Sequence, residues 1–511
     1  MNEFQKKRIS KGPAPSERKT IETEKVKKRA ETKEKLRQIP IISALLDFSK
    51  HHYIWATIII ILFAGVTKAA WNVVTLAENF SIKEVALSIF SEKIKTDTEN
   101  HTNILLLGTG TEEHDGAELT DTIIVVSLDH DQNTASMLSI PRDLYVEIDE
   151  LYGGNRINSV WELVAETDIY ENETPEKEAY KKSYDVLTRT ISEIVDLPIH
   201  YYTRIDFDGF TEIVDAIGGV DVYVEEDIYD PYYPAENGTI GYQIFSVSAG
   251  NQHLDGDTAL KYVRSRKTTS DFDRSARQQQ VLSSIKDKAL SLGVLGSPSK
   301  LKNIFTVIND NFDTNLEWDE MVYLAKIADN FDTNSLTTWV LNDNPLTAGG
   351  FLYTPDREFY GGAFVLVPFT NDYLDIQQFA DTVLMNPESH SENMNLQITN
   401  GTGANGIATE TMYYLGRYGY DIVRFGNAAN QGIPTTRIIP RTALLSGQDA
   451  ETINSDPSLN YFHENYIPVG FVMTELPQEY SPAEWETEAD VIIELGQDYV
   501  DWMTDNQISF Y

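Results

Sequence analysis

Short apolar runs and helical periods alternate along most of this 511-residue chain. Asn103-Ile-Leu-Leu-Leu-Gly108 is an unbroken apolar run, the pattern of a strand covered on both faces. Thr122–Asp129 and Thr134–Ile140 follow. The turn-rich Asp129-His-Asp-Gln-Asn133 between them predicts an antiparallel hairpin. Tyr180–Val195 repeats its apolar residues at helical spacing and stops before Pro198. Phe207–Ala216 is a second helix, ended by Gly218-Gly219, and Val220–Val224 alternates as a strand. Ala259–Val263 reads as a short helix-to-strand passage, Ser275–Leu292 as a helix and Leu301–Phe331 as further helices. Ala363–Pro368 and Leu374–Met385 read as a closing strand and a closing helix. Together they predict an α/β domain over residues 98–390.

Residues 386–394 are polar, carry no apolar period and mark a domain boundary. Beyond them Leu396–Asn400, Asp421–Phe425, Thr436–Pro440 and Asp490–Leu495 read as strands and Gly406–Tyr418 as a helix. They form a smaller α/β unit over residues 394–500. At the other end, residues 53–74 are predominantly apolar with Lys68 as their one charge, long enough to span a bilayer, with Trp55 and Trp71 at the two interfaces. About fifty residues precede this stretch, too many for a cleaved signal peptide. Residues 1–52 then read as a cytoplasmic segment, 53–74 as a transmembrane helix and 75–97 as a connector.

Charge sharpens this division. The chain holds 41 Lys and Arg and 79 Asp and Glu; residues 1–50 carry 14 and 7 of these, leaving 27 and 72 for the rest. A basic head stays cytoplasmic under the positive-inside rule and sends the acidic body outside the cell membrane, with the bilayer as a partner. An acidic body is repelled by nucleic-acid phosphates, and no helix-turn-helix pattern is present. There is no cysteine, so disulfides and thiolate sites are excluded. Gly108-Thr-Gly110 lacks the rest of a dinucleotide-loop fingerprint, and the histidines show no metal-ligand spacing.

Two groups of residues carry candidate chemistry. A hairpin turn centred near residue 132 sets Asp121 opposite Asp143, with Arg142 beside them, at one end of the sheet. Two carboxylates so close call for a divalent metal or an arginine between them, and oxygen ligands favour Mg²⁺. The second group is Arg264, Arg266, Arg274, Arg277 and Gln278. Arg264 and Arg266 share one face of an extended segment, and Arg274, Arg277 and Gln278 share one side of a helix start. Guanidinium forks suit phosphate oxygens, so the run reads as a diphosphate or phosphodiester site. Surface ion pairing with Asp255, Asp271 and Asp273 is the competing reading.

These segments together resemble the LytR–CpsA–Psr family of cell-wall phosphotransferases. The resemblance rests on Asn103–Gly108, Thr120-Asp-Thr, Ser139-Ile-Pro-Arg-Asp143, Arg156-Ile-Asn158, Phe207-Asp-Gly-Phe, Val214–Val220, His253-Leu-Asp-Gly256, Ala259–Arg266 and Asp273–Gln278, in the family's order. The second unit is similar to the LytR C-terminal domain through Asn400-Gly-Thr-Gly403, Gly426-Asn427 and Asp490–Asp498. The resemblance implies an α-β-α sandwich around a mixed central sheet. It implies transfer of a teichoic acid-like glycopolymer from a polyprenyl-pyrophosphate carrier to peptidoglycan, with Mg²⁺ or Mn²⁺ as cofactor. Residue by residue, Asp121 is implied in the metal site, and Arg142, Arg264, Arg266, Arg274 and Gln278 on the pyrophosphate. Arg277 belongs with the same cluster, and Asp143 is a ligand candidate and the first candidate for proton acceptor, ahead of Asp121. Two departures bear on the metal: Thr109 stands where the family has an acidic residue, and Leu119 where a basic one is common. Asp115 is the candidate to complete the site. Pyrophosphate hydrolysis and non-catalytic binding of a lipid-linked glycan are the competing functions.

Overall fold

The computed structural model describes residues 94–110, 119–234, 241–265, 277–285, 288, 311–317, 320, 323–324, 336–387, 394–477 and 487–505. All of these belong to the compact unit 52–511. The expected cytoplasmic segment, the transmembrane helix and residues 75–93 of the connector lie outside the described residues. Among the described residues no helix is long and apolar enough to cross a membrane.

The main sheet is mixed. Its strands are β1 (His101–Thr109), β2 (Thr120–Asp129), β3 (Thr134–Ser139), β6 (Tyr201–Asp206), β11 (Phe312–Thr314) and β12 (Thr337–Val340), in the order β11-β6-β1-β2-β3-β12. β1 pairs in parallel with β6, and β3 with β12, while β2 runs antiparallel between β1 and β3. The carboxyl ends of β1, β3, β6 and β12 therefore lie along one edge, together with the start of β2. Open α/β sheets place their ligands at such an edge.

Both faces are covered, which explains why β1 reads as a continuous apolar run rather than an alternating one. Leu105 and Leu107 join one buried cluster with Val160, Trp161 and Leu187 from helices α1 (Ile157–Glu171) and α2 (Glu176–Val195). Ile104 and Leu106 join another with Ile213, Val214, Tyr262 and Val281, from α3 (Phe207–Ala216), α4 (Gly256–Arg264) and the helical residues 277–285. Helix α3 begins at Asp206, whose side chain accepts from Gly209 N at 2.8 Å. Helix α4 begins at Asp255, which accepts from Thr258 N at 2.9 Å. Each cap satisfies one of the helix's first free N–H groups.

Four expectations are corrected. The β2–β3 ladder pairs Ile124 with Ser139 and Asp129 with Thr134. Its centre is thus half a residue earlier than expected, and extending it sets Arg142, not Asp143, opposite Asp121. Ala259–Val263 does not turn into a strand: Ala259, Tyr262 and Val263 are buried at helical spacing, and helix α4 runs to Arg264. Within the span expected to be helical from Leu301 to Phe331, Phe312–Thr314 is the edge strand β11. Finally, only Val367–Pro368 of the expected closing strand forms a strand, with Leu366 in an isolated bridge to Leu144. As β14 it pairs with β13 (Leu352–Tyr353) outside the main sheet, consistent with a proline that has no N–H to donate.

Several elements left no sequence signal that was read as structure. They are α1, the hairpin of β4 (Tyr145–Ile148) and β5 (Gly153–Arg156), and β10 (Gly250–Leu254), which pairs with the expected strand β7 (Val220–Val224). The Tyr/Pro-rich stretch beyond them is a hairpin of β8 (Ile228–Pro234) and β9 (Tyr242–Val247).

The closing helix is α5 (Leu374–Ala380), which widens into a π turn over Asp381–Met385. Beyond it, β15 (Leu396–Asn400), β16 (Ile422–Asn427), β17 (Arg437–Ile439), β18 (Phe471–Val472) and β19 (Val491–Leu495) form a five-stranded sheet, order β16-β15-β19-β17-β18. Its helices α6 (Ile407–Arg417), α7 (Pro457–Asn465) and α8 (Gln497–Asp505) pack against it.

The two sheets share one buried cluster rather than two. Tyr418 lies with its ring centroid 4.9 Å from Phe351 and 4.8 Å from Tyr466. Its hydroxyl reaches Asp375 Oδ1 at 3.3 Å and Gln378 Oε1 at 3.2 Å on α5. Tyr461 donates to Asp381 Oδ2 at 2.8 Å, and Gln378 Nε2 donates to Asn465 O at 2.8 Å. Aromatic packing, with the Tyr418 and Tyr461 hydroxyls hydrogen-bonded, favours the burial of these rings. Removing the Tyr418 ring therefore loosens both halves at once. Tyr418→Ala is expected to cost about 3–5 kcal/mol and to lower a single calorimetric transition; two separate transitions, of which one is unmoved, would contradict a shared core.

Candidate functional site

The site is built where β2 begins and β3 ends. Arg142 follows the last β3 pair closely and its guanidinium lies between two carboxylates. Nη1 donates to Asp121 Oδ1 at 2.9 Å, and Nε faces Asp143 Oδ2 at 3.4 Å. Asp143 Oδ1 in turn accepts from Arg156 Nη1 at 3.3 Å. Asn158 Nδ2 donates to Asp121 Oδ1 at 3.3 Å, and the backbone N–H of Asn158 donates to Arg142 O at 3.2 Å. The segment Arg156-Ile-Asn158, where β5 passes into α1, thus closes the cluster from one side. The two carboxylates differ in exposure: the Asp121 side chain is 38% exposed and that of Asp143 9%. Both Asp143 oxygens face guanidinium donors, whereas Asp121 Oδ2 has no partner among the described residues.

The cleft beside this cluster is lined by Asp121, Ser139, Arg142, Asp143, Gln278 and Asp343, with Ile140, Val340, Leu341, Phe364 and Leu366 forming its apolar wall. Gln278 reaches it because its two neighbours are tied down. Gln279 Nε2 donates to Ser139 Oγ at 3.0 Å and to Trp339 O at 3.1 Å. Gln280 accepts from the Tyr262 hydroxyl at 2.8 Å and donates to Tyr223 O at 2.7 Å. Asp343 carries no motif and was not picked out in the sequence; only its place after β12 brings it here.

Arg264 occupies the last turn of α4, with its guanidinium 4.0 Å from the centre of the Phe207 ring and 5.7 Å from that of Tyr233. Phe207 follows directly on β6, so Arg264 stands at the same sheet edge. Arg277 does not stand with it as a free fork. It is buried, donating from Nε to Tyr262 O at 3.0 Å and from Nη2 to Ser265 O at 2.5 Å. A cation on the last carbonyls of α4 is favourable for the helix dipole, so Arg277 fastens the Arg264–Ser265 turn. Arg266, Arg274 and Asp115 lie outside the described residues.

A further arginine, missed in the sequence, holds Thr109. Arg204 on β6 donates from Nη1 to Thr109 Oγ1 at 3.1 Å and from Nη2 to Asp313 Oδ2 at 3.1 Å, with its guanidinium 4.8 Å from the Trp161 ring centre. Burial works against its charge, yet Tyr184 and Asp313 raise its pKa above the ordinary arginine value. A single Arg in a strand carries no signal by itself; the parallel pairing of Leu107 with Arg204 and of Thr109 with Asp206 is what brings it to the edge.

Among the described residues no three His, Asp or Glu side chains come close enough to hold a metal by themselves. The donors fit a Mg²⁺ ion only in part. Asp121 offers Oδ2, while Asp143 is taken up by arginines and the Thr109 hydroxyl by Arg204. One carboxylate suffices for Mg²⁺ where substrate phosphates and water complete the octahedron.

Asp206, paired with Thr109, is the one described carboxyl at this edge with a large shift, pushed up to about 6 by burial against the opposing pull of the Gly209 N–H and Arg204. Its neutral form is the one the fold favours. That contribution is complete below about pH 3.8 and lost as pH rises through about 6. Stability is therefore expected to fall between pH 4 and 6.5. Asp206→Asn keeps an N-cap acceptor and should flatten this stretch of the denaturation-against-pH curve; an unchanged slope would contradict a buried Asp206.

A model of the LytR_cpsA_psr family matches residues 66–358. A second, described as LytR cell envelope-related transcriptional attenuator, matches residues 393–499. The cell wall biosynthesis protein LcpA of Corynebacterium glutamicum is 26% identical over 363 residues, 66% of this chain and 65% of that protein, just under two thirds of its length. The polyisoprenyl-teichoic acid–peptidoglycan teichoic acid transferase TagU of Bacillus mycoides is 30% identical over 269 residues, 52% of this chain and 77% of that protein. The crystal structure of Bacillus subtilis TagV is similar at 24% identity with a TM-score of 0.41, covering 57% of this chain and 99% of that one.

Proposed function

The chain belongs to the LytR_cpsA_psr family, and from that membership we propose that it is a cell-envelope phosphotransferase. It moves a glycopolymer from a polyisoprenyl-pyrophosphate carrier to a hydroxyl of peptidoglycan. The activity for which TagU is named supports the substrate class. The observation that carries the reading is that Arg142 and Gln278 line one cleft with the open carboxylate oxygen of Asp121, while Arg264 packs on Phe207 directly after β6.

Phosphoryl transfer asks mainly for positioning and charge neutralisation. Here the acceptor oxygen attacks the glycan-linked phosphorus, the bridging P–O bond breaks, and polyisoprenyl phosphate leaves with the bridging oxygen. The arginines hold the non-bridging oxygens through charge-assisted hydrogen bonds. Arg266 and Arg274 belong to the same cradle by family resemblance. Asp143 is a positioning residue: it fixes Arg142 from Nε, and its two oxygens are already occupied. Mg²⁺, when bound, would neutralise diphosphate charge, and Asp121 is the residue that would hold it, through Oδ2. Asp343 is then the remaining carboxylate on the cleft, and to it we assign the proton of the attacking hydroxyl. Residues 53–74 anchor the protein in the membrane that supplies the lipid substrate.

The test is transfer by the purified full-length protein from a lipid-linked glycopolymer to peptidoglycan. Arg142→Ala and Arg264→Ala should each lower transfer roughly 100-fold; Arg264→Ala should leave the thermal transition in place, whereas Arg142→Ala, which leaves Asp121 and Asp143 without the guanidinium between them, should lower it. Diphosphate cleavage at the same rate with and without peptidoglycan would instead identify a hydrolase. Full transfer by both variants would remove the cradle from the reaction.

A further inference from the structure

The β8–β9 hairpin has two faces of different character. Asp230 and Tyr233 point inward and are buried. They grip the turn that carries the arginine: Ser265 Oγ donates to Asp230 Oδ2 at 3.0 Å, and the Tyr233 ring lies under the Arg264 guanidinium. Alternate residues of the same strands point the other way. Tyr229, Tyr232, Tyr242 and Ile244 are between 53% and 70% exposed. Tyr232 and Tyr242 meet edge to face with centroids 5.7 Å apart. Large rings left in water on a two-stranded hairpin contribute little to the core and mark a contact surface.

We propose that this outer face is a sugar-stacking platform for the acceptor, an uncharged N-acetylhexosamine strand. The proposal rests on the transferase reading and names where its second substrate docks. Tyrosine offers rigid, amphipathic area at low entropic cost, and the negative face of its ring suits the C–H edges of a pyranose. Charge selects among occupants. Residues 228–247 contain no Lys or Arg, and Glu225, Glu226 and Asp227 at the base of the hairpin are exposed. A polyol-phosphate donor chain or an anionic lipid headgroup would be repelled there; a neutral glycan backbone is not. The inner face of the same hairpin holds Arg264, so an acceptor on the platform is docked one strand's thickness from the phosphate cradle.

The experiment compares the full-length protein with a Tyr229→Ala, Tyr232→Ala, Tyr242→Ala triple variant, whose exposed positions spare the fold. Binding is read by co-sedimentation with purified peptidoglycan sacculi and by calorimetry with N-acetylglucosamine oligomers; transfer is read as acceptor KM against kcat. The triple variant should lose about tenfold or more in sacculus affinity and raise acceptor KM to match, with kcat within about twofold. Unchanged sacculus binding and KM would overturn the platform. So would loss of binding to phosphatidylcholine vesicles with sacculus binding intact, which would make the face a membrane seat. Sacculus binding is measured without donor, so a protein that binds sacculi through these tyrosines but transfers nothing would refute the transferase reading and leave the platform standing.

Discussion

The site depends on Arg142 lying between two aspartates. With Nη1 on Asp121 and Nε against Asp143, one side chain ties the start of β2 to the end of β3. Arg156 and Asn158 extend the tie to the β5–α1 junction. Two carboxylates this close would repel each other and favour neutral forms without the guanidinium between them. The same pairing holds Arg142 in one orientation, so little reorganisation remains when an anion arrives. The charges also pin the register of a hairpin that a one-residue slip would turn inside out.

Around this tie the fold supplies direction. Four strands end at the same edge, and residues at or just beyond their ends build it: Thr109 on β1, Ser139 on β3 with Arg142 after it, Arg204 on β6 with Phe207 after it, and Asp343 after β12. The helical residues 277–285 reach across to β3 and β12 through Gln279, which aims Gln278 into the cleft. The second sheet continues the core of the first through α5 and the Tyr418–Tyr466 cluster. The support behind the site is therefore larger than the catalytic region alone.

What could be read from the residues follows the range of the interactions. β1, β2, β3, α3 and β7 were legible because local periodicity and turn residues determine them. Arg142 at the sheet's end was legible because hairpin pairing is arithmetic, although the half-residue error exchanged its place with Asp143. Arg264 was found as a residue but set on an extended segment, because an Arg-Ser-Arg alternation imitates a strand where an Asp255 cap makes a helix. Arg277 looked like part of the cradle, yet its donors go to the carbonyls of Tyr262 and Ser265. Arg204 and Asp343 were invisible, since only parallel pairing and a long crossover bring them to the edge. The two faces of the β8–β9 hairpin became distinct only with the strand register.

The most direct measurement is a crystal structure of the full-length protein with a short-chain polyisoprenyl diphosphate bound. The diphosphate should lie at the carboxyl edge of the main sheet, within hydrogen-bond distance of Arg142, Arg264 and Gln278, with the Asp143–Arg142 pair intact. A diphosphate bound away from this edge, or one reached only after Arg142 leaves Asp121 and Asp143, would contradict a preformed cradle.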